Sequence, residues 1–183
     1  MDAPLAWEIR PVTRAEAPAW RELRLEMLKT HPTAFSSAYE EFVLRTPEEV
    51  AARVPEPGGA DVLFGVYQAG ALDGCAGFVR EAGLKSQHKG AMWGVYLRPS
   101  LRGRGVGEAL VGAVIAQARA HVDILTSAVN AENLRAKALY HRMGFRTYGV
   151  EPRGLRWGGR DYDEELLVME LDRQGRAWVV EAP

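Results

Sequence analysis

The chain has a single cysteine, Cys75, and four scattered histidines, His31, His88, His121 and His141. One thiol forms no intrachain disulfide, and no pair of histidines stands at a metal-ligand spacing, so neither a disulfide framework nor a structural metal is expected. An excess of one charge is also missing: 23 Lys and Arg against 24 Asp and Glu leave a formal charge of −1. That balance provides no field for steering onto nucleic acid or an anionic membrane, and any polyanion contact has to come from a local cluster. Residues 1–12 lack an apolar core of signal-peptide length, and stretches such as 109–116 are too short to span a bilayer, so the expected location is the cytoplasm.

With 183 residues, 47% of them hydrophobic, residues 1–183 are read as one domain with its own core. Thr13 with Glu16 three residues on reads as a capping box, and Trp20, Leu23, Met27 and Leu28 then recur at helical spacing to about Lys29. Thr46-Pro47-Glu48-Glu49 repeats the start signal for a short helix that stops before Pro55. Runs 62–67, 72–80 and 92–97 read as an antiparallel meander, with a turn at Ala69-Gly70. Past Pro99 the spacing of Leu110, Val111, Val114, Ile115 and Ala118 is helical, and 122–129 is again strand-like. Asn130 is the expected cap of a helix over 131–143, which Gly144 ends. Runs 153–157 and 162–171 are expected to form a closing hairpin through Gly158-Gly159, with a tail from Arg173. This order describes a mixed α/β (α+β) domain.

The feature that carries chemistry is Arg102-Gly103-Arg104-Gly105-Val106-Gly107-Glu108, set between a strand and an apolar helix. The first amides of a helix lack intrahelical acceptors and carry the positive end of its dipole. With no side chains at the glycines, a phosphate can approach those amides, and Arg102 and Arg104 add charge nearby. A Walker-type loop would need Gly-Lys-Ser/Thr where this turn has Val106-Gly107-Glu108. A dinucleotide fingerprint would need glycine at the place of Glu108, although Asp123 stands at a distance suited to a ribose, so a nicotinamide-dependent oxidoreductase is retained as an alternative.

The same residues resemble the acyl-coenzyme A motif of the GNAT superfamily of N-acetyltransferases, Arg/Gln-x-x-Gly-x-Gly/Ala, filled here by Arg102, Gly105 and Gly107. Val95-Tyr96-Leu97-Arg98-Pro99 is similar to the family's strand into the turn. Asn133, Ala136, Leu139 and Tyr140, followed by Gly144-Phe145, resemble its second motif. The resemblance is strongest over 91–146. It implies a GNAT-like, mostly antiparallel sheet flanked by helices, and acetyl-CoA as cosubstrate without a metal. It implies a primary amine as acceptor, attacking directly in a ternary complex. It further implies cofactor contacts from Val95, Tyr96, Leu97, from 102–108 and from Asn133, with an amide of that strand serving the oxyanion and Tyr140 as the acid for the leaving thiolate.

The base that accepts the amine's proton is open among Glu81, His88, Glu40, Glu41 and a water chain, because neither 92–97 nor Ala128 offers a carboxylate. Cys75 lies among small residues and reads as core, which favours direct transfer over an acyl-cysteine. Phe35, Tyr39, Glu40, Glu41, Trp93, Trp157 and 161–165 are candidates for an acceptor pocket, whose acids would suit a cationic amine. A small-molecule amine is the expected acceptor, with a protein amine next. A catalytically silent acyl-CoA-binding module is the competing function, and the final strands offer a surface for a homodimer.

Overall fold

The computed structural model describes residues 6–171; the tail from Arg173 lies outside them. The order is β1 (Trp7–Pro11), α1 (Ala17–Thr30), α2 (Tyr39–Phe42), α3 (Pro47–Ala51), β2 (Val62–Gln68), β3 (Ala71–Arg80), β4 (Lys89–Leu97), α4 (Val106–His121), β5 (Ile124–Asn130), α5 (Leu134–Arg142), β6 (Arg146–Trp157) and β7 (Arg160–Glu170). The strands form one sheet in the order β1-β2-β3-β4-β5-β7-β6. Every neighbouring pair is antiparallel except β4 and β5, which α4 joins as a crossover.

Both expected capping boxes form. Glu16 Oε2 accepts the Thr13 amide at 2.9 Å, and Thr46 Oγ1 accepts that of Glu49 at 3.2 Å. The two faces of the sheet bury different helices. Ala76 and Phe78 of β3 join Leu110, Val111 and Val114 of α4 in one core. Cys75 joins Trp20, Leu23 and Met27 of α1 in the other, as the two-residue period of a strand requires.

Four elements depart from the expected ones. β1 and the short α2 were not foreseen. Asn130 does not cap α5: its Oδ1 closes a local turn onto the Glu132 amide at 2.9 Å, and the cap is Asn133, whose Oδ1 accepts from Ala136 at 3.1 Å. β6 starts at Arg146 rather than near Arg153. It is an edge strand with register shifts at Thr147/Gly149 and Glu151/Leu155, and those shifts erase the alternation by which a strand is read.

Candidate functional site

The ladder between β4 and β5 holds Lys89↔Ile124, Gly90↔Leu125 and Ala91↔Thr126, and no further pair joins the strands beyond it. β4 carries an extra residue there: Cys75 faces Tyr96 while Gly77 faces Trp93, and Gly94 sits in the bulge at φ 63°. The parting strands open a cavity of about 720 Å³ beside the glycine turn. Gly105, at φ 76°, is the N-cap of α4, a backbone conformation that glycine adopts without strain. The first amide to close the helix is that of Ala109, onto the Gly105 carbonyl at 3.1 Å. Those of Val106, Gly107 and Glu108 are therefore left without intrahelical acceptors.

Val95, Tyr96, Leu97, Arg102, Gly103, Gly105, Gly107, Glu108, Asn133 and Tyr140 all line this cavity. Arg104 is not among the lining residues, and the Val106 side chain is buried in the core, which leaves only its backbone for the turn. Arg102 is held back instead of being a flexible charge. Its Nε donates to the Leu97 carbonyl at 2.9 Å and its NH2 stands 3.1 Å from His31 Nε2. Burial and the Arg102 charge lower the His31 pKa, which keeps that imidazole neutral and able to accept. Two cations that were not anticipated, Arg135 and Arg142, stand at the cavity from α5, two turns apart on one face, and Arg142 pairs with Glu108 at 2.8 Å.

Asn133 and Tyr140 reach the same cavity, as their seven-residue separation on a helix allows. Tyr140 is 6% exposed, its ring tilted against Phe145 at 5.9 Å, and burial pushes its pKa well above the usual phenol value. Tyr96 contributes backbone here, because its hydroxyl donates to Glu26 Oε1 at 3.0 Å on the α1 side. Arg98 in turn holds Glu26 from NH2 at 2.7 Å and Asp73 from NH1 at 2.6 Å, keeping the end of β4 in register with α1.

A second cavity, of about 570 Å³, lies along the earlier part of β4 and shares Ala34 and Phe35 with the first. Trp93, Gly94, Ala128, Glu41, Arg24 and Glu164 line it. Of the anticipated acceptor residues, Tyr39, Glu40, Trp157, Asp161, Tyr162, Asp163 and Glu165 do not line it. Glu81 and His88 lie at the other end of β4 from the glycine turn, in neither cavity, with Glu81 3.8 Å from Lys89. Glu164, anticipated only as part of the acidic run 161–165 and not among the candidate bases, does line the second cavity. Burial raises its pKa, with a further push from Glu151. Cys75 is buried, donates to the Gly94 carbonyl at 3.4 Å, and is pushed up to about 11 by burial. It is thus a neutral thiol and a poor nucleophile.

Asp123 precedes β5, and its amide donates to the His88 carbonyl at 2.8 Å. Because β4 and β5 are parallel, it sits at the opposite end from the glycine turn, and a ribose-holding role is overturned. Among the described residues no group of His, Cys, Asp and Glu converges on a metal site, and no helix is long and apolar enough to cross a membrane.

Residues 17–145 match the model of the acetyltransferase (GNAT) family. Over 79 residues the chain is 33% identical to an L-methionine sulfoximine/L-methionine sulfone acetyltransferase of Pseudomonas aeruginosa, and equally to that of Pseudomonas paraeruginosa. The match takes in 43% of this chain, and it spans less than half, 46%, of the curated relatives' length. Among solved structures, a GCN5-related N-acetyltransferase from Kribbella flavida superposes with a TM-score of 0.77 at 23% identity, covering 92% of this chain and 100% of that one. The structure of yncA from Salmonella typhimurium with its cofactor acetyl-CoA gives 0.75 at 20%, covering 94% and 98%.

Proposed function

The chain belongs to the acetyltransferase (GNAT) family, and from that premise we propose that it moves an acetyl group from acetyl-CoA to a primary amine of a small molecule, by direct attack in a ternary complex. The observation that carries this reading is the meeting of two cavities at one bulge: the amides of the glycine turn and Tyr140 on one side of Gly94-Val95, and Glu164 on the other.

The pyrophosphate of acetyl-CoA rests on the amides of Val106, Gly107 and Glu108, with Arg135 and Arg142 balancing its charge. Its thioester arm follows the backbone of Val95, Tyr96 and Leu97 along β4 and passes Asn133. The acceptor enters beside Trp93. Its nitrogen must be unprotonated to attack, and Glu164, which burial makes a stronger proton acceptor than an ordinary carboxylate, receives the proton directly or through a water. The new C–N bond yields a tetrahedral oxyanion, to which an amide at the bulge donates. Collapse breaks the C–S bond; Tyr140, protonated across the neutral range, gives its proton to the departing sulfur, and the second proton that the nitrogen sheds restores the phenol.

A small-molecule acceptor is supported by the relative named for methionine sulfoximine and sulfone. The same reading treats the chain as one acetyltransferase domain acting in the cytoplasm, with a second copy covering Tyr148 and Val150, which the β6 edge exposes. The test is thiol release from acetyl-CoA against a panel of amines. Release above background hydrolysis supports catalysis, whereas binding of acetyl-CoA with no amine turned over would identify a silent acyl-CoA-binding module.

A further inference from the structure

Arg24 is 8% exposed, on the buried face of α1, yet among the described residues no carboxylate holds it. Its NH2 donates to Ser37 Oγ at 3.2 Å, and NH1 donates to Met27 Sδ at 3.9 Å. The rings of Phe35 and Phe42 flank the guanidinium at 5.3 and 5.9 Å. Its charged neighbour is Arg53, which repels it, while the buried Cys75 thiol stays neutral. A guanidinium offers five donors in a planar fork, and burying it against one hydroxyl and a thioether leaves most of that capacity unused. In the same cavity, Arg45 Nε is buried with no hydrogen-bond partner among the described residues.

The acids of that cavity are placed elsewhere. Asp61 Oδ1 accepts the Arg80 amide at 2.8 Å. Glu164 packs on Gly154, where an added Cβ would stand 3.1 Å from Oε2. Glu41 is exposed. None of them pairs with Arg24, whose unfilled side borders the β4 bulge: a Cβ on Gly94 would lie 3.4 Å from NH1. An anion seated there stands next to the point where the thioester is presented.

We infer that the acceptor is an α-amino acid, its carboxylate paired with Arg24 beside Arg45 and its α-amine directed at the thioester by the Gly94 bulge. In such a molecule the amine nitrogen and the carboxylate carbon are roughly 2.5 Å apart, so gripping one fixes the other within bonding reach of the reacting carbon. The side chain extends along Phe35, Phe42 and Trp93 within a space of about 570 Å³. This replaces the expectation of a cationic amine held by acids. It rests on the acyl-transfer reading above and specifies its substrate class.

The test compares matched triplets: leucine, leucinamide and isoamylamine; phenylalanine, phenylalaninamide and phenethylamine; methionine, methioninamide and 3-(methylthio)propylamine. Thiol release from acetyl-CoA is followed for each. The wild-type protein is expected to favour the free acid by about 100-fold in kcat/KM, since its rivals leave a buried charge unpaired. The comparison with the amide is the conservative arm, because an amino-acid amide is the less basic amine and deprotonates more readily, and the acid-to-amide ratio therefore decides. Arg24→Gln should level each triplet by depressing the acid alone, and Arg24→Lys should restore part of the preference. The ratio is internal to each variant, and if Arg24→Gln fails to fold, the wild-type ratio together with Arg45→Gln decides. Equal use of acid, amide and amine by the wild type overturns the amino-acid assignment and leaves the transferase standing. No release from any amine, with acetyl-CoA still raising the melting temperature, overturns both.

Discussion

Asn130, the last residue of β5, donates from Nδ2 to the Thr33 carbonyl at 2.9 Å. Thr33 lies in the segment after α1 that forms one wall of the larger cavity, and α5 forms the other, so this bond fastens wall to wall. With Asn130 buried and its Oδ1 taken by the Glu132 amide, Asn130→Ala strands a carbonyl and an amide at once. The expected cost is about 1–3 kcal/mol in urea unfolding, with a higher KM for acetyl-CoA. An unchanged midpoint would show that the walls are held by other means.

Tyr140→Phe keeps the ring against Phe145 and removes the hydroxyl proposed to donate the proton. Turnover should fall about 100-fold while the dissociation constant for acetyl-CoA, measured by calorimetry, moves less than about twofold. Because burial raises the Tyr140 pKa, the wild-type rate should show no alkaline loss from this group until well above neutrality. Equal turnover by both proteins at several pH values would remove Tyr140 from the chemistry.

Gly105→Val tests the turn. Nothing stands within 4 Å of a Cβ at this position, so the obstacle is conformational: φ is 76° at the N-cap of α4. A β-branched residue there costs about 1–2 kcal/mol, or reshapes the turn so that its amides no longer converge. Acetyl-CoA affinity should drop at least about 10-fold, and Gly105→Asn, which tolerates positive φ better, should lose less.

On the proposed mechanism Glu164 accepts the proton only when ionised, so activity should rise with pH through its titration. Burial and the neighbouring Glu151 place that rise above the ordinary carboxylate range. Removing the Glu151 charge eases ionisation, and Glu151→Gln should therefore move the acid limb of kcat/KM to lower pH. Glu164→Gln should cost roughly 100-fold and abolish that limb. An acid limb that both variants leave in place would assign the proton to another acceptor.

What could be read in advance follows from which interactions are local. The glycine turn, α4 and the pair Asn133 and Tyr140 are local patterns: spacing put the last two on one helix face, the family resemblance assigned them and the turn to one cofactor, and one cavity is lined by both. β1 is a five-residue run with charges at Glu8 and Arg10, and it becomes a strand only by pairing with β2. Arg24 sits among buried residues of α1, where an arginine in an amphipathic pattern reads as solvated. Glu164 belongs to an acidic run that looks like an exposed edge. It reaches the site because β7 inserts between β5 and β6 and sets it opposite Asn130, a consequence of topology that no window of sequence contains. Arg102 lines the cavity, but its side chain folds back onto Leu97 and meets His31, a contact far away along the chain that no local pattern contains.

The short ladder between β4 and β5 makes the middle of the sheet its least fastened seam. On the proposed reading acetyl-CoA lies in that seam and laces the two halves together, so the donor molecule doubles as structural thread. Each tenfold excess over its dissociation constant adds about 1.4 kcal/mol to the folded state. Resistance to heat and to proteases should then track the supply of activated acetate, and the protein would be sturdiest when it has most to transfer.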